Sequence, residues 1–192
     1  MNMKTSLLAA AVAMLPVAVS AFPIAIAGTE GLPVIVTGNN AVIATYQGNS
    51  AAYSDDLYLG VSAAANPSDV FIFNNHANSV GDTYDLGTFA VGTELIFRLY
   101  VNNTGDSFYT GDAARNPDNV AHARVQAEWL PGTTLVSFED LYGAPEGVNG
   151  YNDLSFSFTN TSSTPAVPEP ASLALLGAGL VGMGLCVRRR KA

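Results

Sequence analysis

Residues 152–160 read Asn-Asp-Leu-Ser-Phe-Ser-Phe-Thr-Asn, with Leu154, Phe156 and Phe158 alternating with Ser155 and Ser157. A period of two belongs to an extended chain, whose successive side chains leave opposite faces, so this stretch reads as a β-strand. Similar runs rich in Val, Ile, Phe, Tyr and Thr lie upstream: "LPVIVTG", "AVIATYQ", "DLYLGVS", "DVFIFNN", "TELIFRLYV", "AHARVQAEWL" and "TTLVSFED". Clusters of Gly, Asn, Asp and Pro separate them, and few segments repeat apolar residues at helical spacing. About eight short strands with turns between them predict an all-β fold, an antiparallel β-sandwich of jelly-roll type, over residues 28–160. A domain of that size buries an adequate core without metal or disulfide. The single cysteine, Cys186, lies outside it.

Both ends of the chain differ from this domain. Lys4 precedes the apolar run "SLLAAAVAMLPVAVSA", and small residues follow at Val19-Ser20-Ala21 and Ala25-Ile26-Ala27. That order predicts a signal peptide over 1–21, with the cut falling as late as residue 27. Pro16 and Pro23 interrupt the alternative reading as a first helix. At the other end a polar linker, 161–167, leads to Pro168-Glu169-Pro170, seventeen uncharged residues (171–187), then Arg188, Arg189, Arg190 and Lys191. Seventeen residues make a helix of about 25 Å, the short limit for crossing a hydrocarbon core of ~30 Å. The basic cluster would hold its end on the cytoplasmic side and leave the domain outside.

Gly177, Gly179 and Gly182 inside this stretch spell GxGxxG. A dinucleotide site needs a strand before the glycines and an acidic residue about 20 positions later, and neither is present. The glycines read instead as small residues of a membrane helix.

Pro-Glu-Pro, an apolar segment and a terminal arginine cluster, in that order over 168–192, resemble the PEP-CTERM sorting signal of exported bacterial proteins. The resemblance implies a Gram-negative source, exosortase as the processing partner and transient anchoring in the inner membrane through 171–187. It also implies delivery to the cell surface or extracellular matrix. The reactive thiol of such a system belongs to exosortase, so Cys186 is not read as a nucleophile.

Charge bounds the partners of the domain. From Phe22 to Val167 three arginines (Arg98, Arg115, Arg124) stand against fifteen carboxylates. Such a surface repels phosphates, which excludes nucleic acid as a partner, and attracts divalent cations.

A second resemblance rests on "RNPDNVAHARV", "FEDLYG" and "YNDLSFSF", which are similar to an uncharacterised family of exported β-domains found upstream of PEP-CTERM signals. The resemblance implies calcium at the acidic loops and no established activity. In this chain the "YGAPEGVNGY" loop is longer than is usual for that family, with Glu146 its one acidic residue. The residues themselves point the same way: Glu139 and Asp140 end one strand, Asn152 and Asp153 begin the next, and a hairpin brings all four to one sheet end. Asp118, with Asn116, adds oxygen donors if its loop packs alongside. Hard oxygen donors in such a group suit Ca²⁺, which takes 6 to 8 of them. The competing reading, that Asp and Asn cap strand ends and satisfy loop amides, stays open.

Other residues read as structural. His122 is expected to hydrogen-bond in place, and His76 lies in a different loop, so no zinc set assembles. Trp129, Phe97, Tyr100, Phe108 and Tyr109 are expected in the core rather than on a sugar-stacking face. The function expected is therefore an exported, non-enzymatic surface or matrix protein that binds calcium. The alternative is a carbohydrate-active or glycan-binding protein acting on exopolysaccharide. As an enzyme it would need a carboxylate pair, such as Glu128 and Glu139, about 5 to 9.5 Å apart.

Overall fold

A computed structural model describes residues 22–143 and 150–164. The predicted signal peptide, Glu146, residues 165–167 of the linker, and the sorting tail with its helix at 171–187 lie outside the described residues. Among the described residues the strands are β1 (Val34–Val36), β2 (Ile43–Gly48), β3 (Asp55–Gly60), β4 (Val70–Asn74), β5 (Thr83–Asp85) and β6 (Glu94–Val101). They continue as β7 (Ser107–Tyr109), β8 (Ala123–Leu130), β9 (Thr133–Phe138), β10 (Leu154–Thr159) and β11 (Thr161–Ser162). One 3₁₀ turn, Ala113–Arg115, interrupts them. No helix among them is long and apolar enough to cross a membrane.

Two antiparallel sheets result, as a β-sandwich requires. The first runs β11-β1-β6-β3-β4, with β7 also paired to β6, and the second runs β5-β2-β10-β9-β8. Alternation on β10 sets the core: Leu154, Phe156 and Phe158 are fully buried between the sheets. Phe158 stacks on Phe97 of the facing sheet with ring centroids 4.0 Å apart, and Phe156 stacks on Phe73 at 5.8 Å. Tyr46 tilts against both Phe73 and Phe156. Each such ring contributes about 1.5–3 kcal/mol through burial, so this layer is the main tie between the sheets.

The other face of β10 is also covered. Ser155 and Ser157 are buried, because residues 22–30 cross the outside of the second sheet as a strap. Ala25 donates its N–H to Ser137 Oγ at 2.8 Å, and Ser137 Oγ meets Ser155 Oγ at 2.8 Å. Ile26 donates to Gln126 Oε1, and Arg124 Nε donates to Glu30 Oε1 at 2.7 Å. Serine suits this face, since its hydroxyl can be buried while hydrogen-bonded. Gly48 has a φ of +133°, and a Cβ there would lie 2.6 Å from Phe22 Cβ, so only glycine lets the strap begin so close to β2.

Candidate metal centre

The β9–β10 hairpin builds the site. Leu154 pairs with Phe138, so the residues just beyond each strand, Glu139 and Asp140 on one side and Asn152 and Asp153 on the other, emerge together. Asp153 donates its N–H to Phe138 O, and Asp140 donates its N–H to Asp153 Oδ2 at 2.9 Å. One carboxylate oxygen from each of Glu139, Asp140 and Asp153 lies within 4.8 Å of the others. Glu139 and Asp140 are buried. Asn152 lines the same cleft, of about 260 Å³, together with Ser50, Ala52, Tyr53, Asp140 and Asp153. Its carbonyl accepts the Ser50 N–H at 2.8 Å.

Asp118 occupies a different position. Its Oδ2 meets His122 Nε2 at 2.8 Å and accepts the Gly143 N–H, and its Oδ1 accepts the Val120 N–H. Burial pushes this carboxyl up, but the hydrogen bonds from His122 and the two backbone groups outweigh it and hold it below its ordinary value. His122 is fully buried, stacks on Phe108 and places Nδ1 3.0 Å from the Glu139 carbonyl. Asp118 and His122 thus brace Glu139 from behind. Asn116 is likewise engaged with backbone, accepting from Tyr109 N and donating to Val120 O.

One carboxylate of the neighbourhood was not foreseen in the sequence. Asp55 opens β3 in the first sheet and is fully buried. Its Oδ2 accepts from Asn75 Nδ2 at 3.1 Å, while its Oδ1 has no hydrogen-bond partner. Burial first, and then the charges of Asp140 and Asp153, push its pKa up to about 8. The signal for it was the parity of "DDLYLG": Asp55 lies two residues before Leu57, which is buried in the core, so both face the second sheet. A buried carboxylate oxygen without a donor is costly unless a proton or a cation satisfies it. With oxygen as the only donor type, the group fits a hard cation of the Ca²⁺ kind.

Glu128 does not approach Glu139. It is exposed beside the β8–β9 turn and accepts from Gly132 N, whereas Glu139 follows the far end of β9. The length of β9 puts them roughly 20 Å apart, well beyond the span for glycoside hydrolysis. Phe97, Phe108 and Tyr109 are buried as expected, whereas Tyr100 and Trp129 are half-buried.

Residues 166–191 match the family described as the PEP-CTERM protein-sorting motif. The matched stretch contains Pro168, Glu169 and Pro170 and the cluster Arg188, Arg189 and Arg190. No curated protein and no solved structure matches the chain. The motif supports an exported substrate of exosortase, carried across the inner membrane to the surface.

Proposed function

We propose that this protein is a non-enzymatic component of the cell surface or extracellular matrix of a Gram-negative bacterium, and that its jelly-roll-type sandwich binds calcium at one end. The sorting motif at 166–191 carries the reading of export. On that reading the first 21 residues are a signal peptide and 171–187 anchor the chain in the inner membrane until exosortase removes the tail. The convergence of Glu139, Asp140 and Asp153 supports the calcium reading. The separation of Glu128 from Glu139 weighs against the glycosidase alternative that needed that pair.

The test of sorting is charge removal at the tail. With Arg188, Arg189, Arg190 and Lys191 made neutral in the full chain, the uncut precursor should accumulate and surface delivery should fall, because the basic cluster fixes orientation in the membrane. Unchanged processing and delivery would contradict the reading.

A further inference from the structure

We propose that Asp55 is a direct ligand of the calcium ion, so that the ion bridges the two sheets of the sandwich rather than sitting in one hairpin. This rests on the calcium reading above. The hairpin carboxylates Glu139, Asp140 and Asp153 all follow or precede strands of the second sheet. Asp55 belongs to β3 of the first sheet, and β3 pairs with β4 and β6 but not with β9 or β10. At this end the sheets therefore meet through side chains.

Asn75 explains only part of Asp55. Asp55 donates its N–H to Asn75 Oδ1 at 2.9 Å, accepts from Asn75 Nδ2 at its Oδ2, and its carbonyl accepts the Asn75 N–H at 3.1 Å. Those contacts fix the carboxylate in place and leave Oδ1 without a donor inside a fully buried setting. The inward parity that Asp55 shares with Leu57 turns that carboxylate toward the second sheet, and Asp140 and Asp153 are its principal charged neighbours. A residue needed only to lock β3 to β4 would be served as well by a neutral amide. A carboxylate held rigidly beside two others has a use when a divalent cation joins them.

The experiment is a calorimetric calcium titration of the full chain in detergent, comparing wild type with Asp55→Asn, Asp153→Asn and Asp82→Asn. Asp82 is an exposed loop residue whose Oδ2 accepts from Ser79 N and Asn78 Nδ2, so its variant controls for lost charge. Loss of one ligand should weaken binding about tenfold or more in both Asp55→Asn and Asp153→Asn, with Asp82→Asn near wild type. Without calcium, Asp55→Asn should melt no lower than wild type, since a neutral amide can keep the contacts with Asn75 and be buried with neither a proton nor a cation. Wild-type affinity in Asp55→Asn would overturn the bridge and leave the hairpin site standing, whereas no binding by wild type would overturn both. Hydrogen exchange of the wild type gives the same answer even if Asp55→Asn fails to fold. Calcium should slow the amides of Asp55 and Asn75 along with that of Asp140, and protection confined to Asp140 and its hairpin would overturn the bridge.

Discussion

Asp55 gives this fold a pH dependence whose sign is unusual for a carboxylate. Its pKa rises from 3.8 to about 8 on folding, through burial and then the charges of Asp140 and Asp153. Between those values the folded chain retains a proton that the unfolded chain releases, so stability falls as pH rises through that window. Asp118 and Glu30, both shifted down, act at lower pH and are already ionised there in both states. In chelator, the urea midpoint should therefore drop between about pH 5 and pH 8.5, and Asp55→Asn should flatten the drop. A midpoint that climbs over this range would contradict the account. The acids at 139, 140 and 153 were legible because one hairpin holds them close in sequence. Asp55 was not, since its approach depends on how two separate sheets face one another across the sandwich, although its inward parity was readable from Leu57. The sequence reading of His122 as a hydrogen-bonding residue agrees with its contacts to Asp118 and the Glu139 carbonyl.

Among the elements, the eight strands read from the sequence are present, because their alternation or their β-branched and aromatic content shows; even β1, with three residues, is wholly β-branched. β5, β7 and β11 were not read: they have three, three and two residues, and β5 is exposed throughout. The strap was missed for another reason. Residues 22–27 follow an apolar run and contain the second small-residue triplet, so the sequence left them between the signal peptide at 1–21 and the domain from 28. Yet Ala25 is buried at 1% exposure, and the N–H groups of Ala25 and Ile26 are bound to Ser137 and Gln126. A cut after Ala27 would uncover Ser137 and Ser155 and lose the strap's hydrogen bonds to Ser137 and Gln126, each worth about 0.5–1.5 kcal/mol. Cleavage is accordingly predicted after Ala21, and mass spectrometry of the exported protein should find Phe22 at the N-terminus. A mature chain beginning at Gly28 would show that the strap is dispensable.

For the whole molecule, charge and architecture serve one another. The sandwich is tied at its centre by stacked aromatic rings and carries a heavy excess of carboxylates, several buried at one end. Such an end is self-repelling until a cation joins it, which suits a protein addressed to the outside of the cell by the motif at 166–191. The measurement that tests this most directly is the melting temperature of the wild-type chain at neutral pH, in excess chelator and then in millimolar calcium. A ligand at one hundred times its Kd adds about 2.7 kcal/mol, which for a domain of this size raises Tm by roughly 5–10 °C. The account predicts a rise of that order with calcium. An unchanged Tm would contradict it and leave Glu139, Asp140 and Asp153 as caps of the strand ends.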